Sequence, residues 1–242
     1  MENISQSRYR FYTMRAWFVH LYTSLGVVLA FYAILAVIHG NITQVITFLA
    51  IACVIDGTDG TLARLWNVKK WAASFDGRKL DDIVDYLNYA FIPILCCYRF
   101  NLITENFLPL LAFVLIAAIY GFCNNSAKTD DGFFTGFPNY WNFLVVYIFL
   151  FRFSPLINAF ILLVFALLIW VPIKYISLST VPFRPLTIVL SLAYSILMIP
   201  VLLHFSNPDM RLVFISLIGP VYYFIISIYL TLKGQHTFQT AG

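Results

Sequence analysis

Long apolar runs divided by short polar breaks give this chain its pattern. The first run covers about 16–38 and ends at His39-Gly40-Asn41, a tight-turn sequence. The second, about 42–55, falls short of the ~20 residues that a span needs. It reaches that length if the helix continues through Asp56 and Asp59 to about Trp66. A third helix opens with Asp81, Asp82 and Asp85 and runs to about Phe100, with Pro93 inside it as an expected kink. Further runs fall at about 107–123, 139–151, 155–173, 185–204 and 211–231; the breaks at 152–155, 174–185 and 205–210 each contain proline. The pattern predicts an all-α, polytopic membrane bundle of about eight transmembrane helices, a single domain over 1–242. The first run is too long for a signal-peptide core and no small-residue cleavage site follows it, so it is expected to stay as a helix.

Composition agrees. The chain is 61% hydrophobic and 11% charged, with a mean hydropathy of +0.84, which excludes a soluble domain. The net charge of +4 is small and lies in the breaks, so nucleic acid is not an expected partner. Cys53, Cys96, Cys97 and Cys123 lie in or beside apolar runs without metal-ligand spacing and read as core residues. Eight spans put both termini on one side, together with twelve of the fifteen Lys and Arg; only Arg99, Arg152 and Arg211 fall on the other. The positive-inside rule then makes the termini cytoplasmic.

Against this apolar background, the window Asp56–Asp85 holds six of the eleven acids: Asp56, Asp59, Asp76, Asp81, Asp82 and Asp85. Carboxylates this close to hydrocarbon are costly unless something pairs with them. Asp56 and Asp59 are three apart, Asp81 and Asp85 four apart, and at ~100° per residue each pair projects from one helix face. Two neighbouring helices can therefore aim four carboxylates at one point. Such a group repels itself unless a cation neutralises it, and all-carboxylate ligation suits a hard ion such as Mg²⁺ or Mn²⁺. Gly60 and Gly77 leave room for close backbone approach, and Arg64 offers a fork suited to phosphate. The basic residues Lys69, Lys70, Arg78 and Lys79 read as a solvated connector, with Trp66, Trp71 and Phe75 in the membrane interface.

The order D-x-x-D-G-x-x-A-R…G-x-x-x-D-x-x-x-D, met by Asp56, Asp59, Gly60, Ala63, Arg64, Gly77, Asp81 and Asp85, resembles the signature of the CDP-alcohol phosphotransferases, integral membrane enzymes of phospholipid synthesis. The gap from Leu65 to Asp76 is longer than usual in that family and is similar to the branch that joins choline to CDP-diacylglycerol. Two further stretches resemble that branch: His20-Leu21-Tyr22-Thr23-Ser24 near the start of the first helix, and the polar island around Lys128, Asp131 and Gly136-Phe137-Pro138. The resemblance implies a choline phosphatidyltransferase of a bacterial inner membrane, its site facing the cytoplasm, with CDP-diacylglycerol, choline and membrane lipid as partners. A homodimer is among the states it implies. It also implies that Asp56, Asp59, Asp81 and Asp85 hold divalent ions (Mn²⁺ or Mg²⁺, usually two), and that Asp85 is the general base. Gly60, Ala63, Arg64 and Gly77 would hold the nucleotide diphosphate.

The headgroup is less defined. Quaternary ammonium groups are held by aromatic faces, and rings expected near the acidic window are Tyr22, Tyr86, Tyr89, Tyr140 and Trp141, with Asp82 as counter-charge. His20, Thr23, Lys128 and Asp131 are further candidates for the site wall. Two rival readings are the same reaction on another alcohol, serine or inositol, and a cation or choline transporter. Against the transporter, the acids sit at helix ends rather than at the midplane.

Overall fold

The computed structural model describes residues 6–124, 133–176 and 184–239, the side chains of 184 and 234–239 excepted. Lys128 and Asp131 lie outside the described residues. Two compact units divide the chain near Leu95.

The first unit starts with α1 (Gln6–Ile38) and α2 (Ile42–Leu65), a hairpin turned at Gly40, whose φ is +72°. Asn41 caps α2 by accepting from Gln44 N. As the length argument requires, α2 continues through the signature acids to Leu65. The inward stripe of α1 is made of small residues (Ala16, Gly26, Ala30, Ala33 and Ala36), each buried, which lets α2 lie close along it. A short helix α3 (Val68–Trp71) follows the left-handed Asn67. Its Val68 and Ala72 form a core patch with Ala16 and Val19 of α1.

The charged α4 (Gly77–Asp85) comes next. Asp76 is its N-cap, accepting from Lys79 N at 3.0 Å, so this acid has a structural use. The backbone then widens into a π-helical stretch, Tyr86–Phe91, and resumes as α5 (Ile92–Arg99). The disturbance expected from Pro93 takes this form. A proline lacks an N–H and crowds the carbonyl four residues before it, and that residue is Tyr89.

In the second unit α6 (Leu108–Cys123) packs on α8 (Pro155–Leu168), and α9 (Arg184–Leu203) on α10 (Met210–Ser216) and α11 (Ile218–Gln239). Helix α7 (Trp141–Phe151) lies between α6 and α8 in the chain. The unit also contains what an all-α expectation omits: a two-residue antiparallel ribbon pairing Phe134 with Tyr175 and Thr135 with Lys174. Gly136 follows the first strand at φ +84°, where a Cβ would collide with the Ile169 carbonyl.

Helices occupy all eight stretches that the hydropathy pattern picks out, and five described spans are long and apolar enough to cross a membrane. Their large side chains face outward, for example Val54, Ile116, Ile196 and Ile225, each more than 60% exposed. A continuous apolar exterior of this kind belongs to an integral membrane protein.

Candidate active site

Three helices of the first unit build the site. One carboxylate oxygen from each of Asp56, Asp81 and Asp85 lies within 4.8 Å of the others, a grouping that could hold a metal ion. Asp56 comes from α2 and the other two from α4. The convergence follows from the spacing, because residues four apart on α4 share one face and so bring both carboxylates to Asp56.

Asp59 stands beside this trio rather than in it. It is 6% exposed, and its Oδ2 accepts a hydrogen bond from Thr23 Oγ1 on α1 at 2.7 Å. Asp56 is held in the same way by another hydroxyl, Tyr89 donating to its Oδ2 at 2.7 Å. Both α2 carboxylates are thus oriented by a neutral donor. On α4, burial and like charges displace the carboxyls. Burial pushes Asp81 up to about 7, helped by the charges of Asp59, Asp56 and Asp82 and opposed by Arg78. Burial pushes Asp85 up to about 9, helped by Asp56, Asp81, Asp59 and Asp82. Asp82 is raised by burial, with Arg78 pulling it back. The donor set suits a hard divalent cation: three oxygen ligands lie within reach of one another, and burial together with their charges raises two of them.

The glycines and the basic residue separate in an unexpected way. A Cβ on Gly60 would meet only Arg64 Nη1, at 3.5 Å, so packing leaves that surface open. Arg64 is exposed and donates from Nη2 to Thr61 Oγ1 at 3.1 Å. Gly77 is different: a Cβ there would come to 2.7 Å from His20 Cε1. His20 is 6% exposed, its ring centroid 4.5 Å from that of Phe75, and its Nε2 is buried without a partner. Ala63 packs against the patch formed by Ala16, Val19, Val68 and Ala72. Next to it Arg15 lies over the Trp66 ring at 4.5 Å and the Phe11 ring at 5.4 Å.

The five proposed headgroup rings are divided between the two units. Tyr22 exchanges a hydrogen bond with Thr58 Oγ1 at 2.8 Å. Tyr86 is half-buried, directly after Asp85. Tyr89 is buried and its hydroxyl is committed to Asp56. Tyr140 and Trp141 belong to the second unit. There Tyr140 meets Phe143 and Tyr223 edge-on, and Trp141, 0% exposed, donates its indole N–H to Asn139 Oδ1 at 3.0 Å. With face and N–H both occupied, Trp141 is a core residue of that unit.

Sequence reasoning passed over Asn88. It is 2% exposed, and its Nδ2 donates to Gly26 O at 3.1 Å and Val84 O at 2.9 Å, tying the π-helical stretch to α1. A Cβ on Gly26 would collide with Val84, so the small residue sets the approach of the two helices. An amide in an otherwise apolar run was the available signal.

No family model matches the chain. Curated relatives do. It is 32% identical over 225 residues to a phosphatidylcholine synthase of Borreliella burgdorferi, covering 91% of this chain and 96% of the relative. It is 40% identical over 194 residues to one of Legionella bozemanae, 75% and 88% of the two chains. To one of Rhizobium meliloti it is 31% identical over 230 residues, 93% and 95%.

Proposed function

This chain belongs to the phosphatidylcholine synthase family, and from that premise we propose how its residues divide the work of the reaction. The enzyme transfers the phosphatidyl group of CDP-diacylglycerol to choline, giving phosphatidylcholine and CMP. The choline oxygen forms a bond to the phosphorus that carries diacylglycerol, the bond from that phosphorus to the CMP oxygen breaks, and the hydroxyl proton passes to a carboxylate.

The observation that carries the assignment is the approach of Asp56, Asp81 and Asp85 to within 4.8 Å of one another. They would hold divalent ions, Mn²⁺ or Mg²⁺ and usually two, with Asp59 beside them. Ions bound there supply positive charge that neutralises the acids and offsets the charge that builds on the departing CMP. Asp85 is the general base. Burial and the neighbouring acids push its carboxyl up to about 9, and it would take the choline proton once a bound cation had displaced its own. Asp56 and Asp59 serve as fixed ligands, since Tyr89 and Thr23 orient them. Arg64 grips the diphosphate across the open surface of Gly60, its guanidinium suited to two oxygens at once. Tyr86 and Tyr22, with Asp82 as counter-charge, are the headgroup contacts supported by their position in the first unit.

The same reading includes eight crossings, both termini and the acid cluster on the cytoplasmic face of a bacterial inner membrane, and a homodimer among the assemblies open to the chain. One experiment tests the core of it. Purified protein in nanodiscs should release CMP from CDP-diacylglycerol only with both choline and Mn²⁺ or Mg²⁺ present. Choline movement across sealed vesicles without CMP release would establish the transporter instead.

A further inference from the structure

Tyr89 differs from the other ring candidates in what its hydroxyl does. The side chain is 9% exposed and its phenol donates to Asp56 Oδ2 at 2.7 Å, a contact between the α4–α5 run and α2. A regular helix would not aim it so well. Four residues of α-helix advance a side chain by about 40° beyond a full turn, so a row Asp81, Asp85, Tyr89 drifts about 80° around the axis. The π-helical stretch Tyr86–Phe91 has a wider turn, with the Ile92 N–H bonded to Leu87 O, five residues back. A wider turn advances each residue by less, which counters that drift, and the phenol of Tyr89 meets an acid of the cluster. Pro93 favours the widening by crowding the Tyr89 carbonyl, and Asn88 anchors the stretch to Gly26 O on α1. A π-helical insertion of this kind is often found where a side chain has been re-aimed for function.

We propose that Tyr89 is a positioning residue of the metal site: its phenol fixes the Asp56 carboxylate for the cation shared with Asp81 and Asp85, and the π-helical stretch places the phenol there. This rests on the metal reading of the carboxylate cluster. It removes Tyr89 from the choline contacts and makes it part of the support around the ligands, where loss of one hydrogen bond typically lowers metal affinity 10–100-fold.

The test is Tyr89→Phe, which removes only the hydroxyl, in full-length protein in nanodiscs. Free Mn²⁺ is measured by its paramagnetic resonance signal, with Tyr98→Phe on the exposed face of α5 as control. The Mn²⁺ Kd should rise about tenfold or more in Tyr89→Phe and stay unchanged in the control, while the choline KM at saturating Mn²⁺ stays within twofold. Equal Mn²⁺ affinity in a folded Tyr89→Phe protein overturns the inference but leaves the metal reading intact. A raised choline KM with normal Mn²⁺ binding overturns it in favour of a headgroup contact. No Mn²⁺ binding by the unmodified protein overturns both. Should Tyr89→Phe fail to fold, 3,5-difluorotyrosine at position 89 keeps the ring and the hydroxyl. Its fluorine resonance should broaden with one equivalent of Mn²⁺ and not with Mg²⁺; a resonance left sharp by Mn²⁺ overturns the assignment.

Discussion

Loading the carboxylate cluster with a cation should release protons, and the structure sets how many. Both α4 carboxyls are displaced far from the ordinary 3.8, Asp81 to about 7 and Asp85 to about 9. Below pH 7 a cation must displace a proton from each, between 7 and 9 only from Asp85, and above 9 from neither. Each proton displaced makes apparent affinity rise tenfold per pH unit. The Mn²⁺ Kd should therefore fall about 100-fold per unit near pH 6, roughly tenfold per unit near pH 8, and level off above about 9. Calorimetric titration in two buffers of different protonation enthalpy counts the protons directly: about two at pH 6 and about one at pH 8. Asp85→Asn should remove the one that persists at pH 8. The same shifts fix the sign for stability without metal. Folded pKa values lie above the unfolded ones, so the contribution is complete below about pH 4 and is lost as pH rises through 7 and then 9. The limiting slope is about 1.4 kcal/mol per pH unit for each proton. Thermal midpoints in chelator should drop across that window, and saturating Mn²⁺ should flatten the slope. Mn²⁺ affinity independent of pH between 6 and 8, with no proton release, would refute the reasoning.

Other outcomes follow from single contacts. Arg64→Lys should raise the CDP-diacylglycerol KM and leave choline dependence alone, because a point charge loses the two-oxygen grip; steady-state kinetics with each substrate varied will separate these. Gly77→Ala places a Cβ 2.7 Å from His20 Cε1 and should cost about 1–3 kcal/mol of packing strain. Combining it with His20→Ala should restore most of the activity and the thermal midpoint, whereas no recovery would assign the glycine surface to the nucleotide. Tyr86→Leu should raise the choline KM with CDP-diacylglycerol binding intact, and a change below about twofold, roughly 0.4 kcal/mol, would take this ring out of the pocket.

The helical layout was legible in the hydrophobic runs, even to the continuation of α2 through its acids to Leu65. The acid cluster was legible too, because a spacing of four on one helix is a statement about faces. Its internal division was not. Nothing in the spacing of Asp59 says that Thr23, 36 residues earlier, takes its Oδ2, since that contact depends on how closely α1 and α2 approach. Tyr89 shows a related limit: its place beside the signature suggested a substrate contact, and nothing in the sequence says that its phenol donates to Asp56 Oδ2. Gly77 carried a similar ambiguity. A glycine in a motif announces that something comes close, and here the close neighbour is an imidazole from α1. Asp76, counted among the acids of the window, accepts from the backbone N–H of Lys79 as a cap, a use that the charge pattern alone does not distinguish from chemistry.

The raised carboxyls of α4 have a consequence for biogenesis. Every acid of the cluster lies in the first 85 residues, so these groups reach the membrane while later helices are still being synthesised. Two ionised carboxylates at that stage would have to be dragged from water toward lipid. The shifts belong to the packed cluster, so a proton taken up as the acids leave water is kept once α2 and α4 come together, at far lower cost than a bare charge. Protons would then be the temporary occupants of the cluster during insertion, to be exchanged for the first divalent cation that binds.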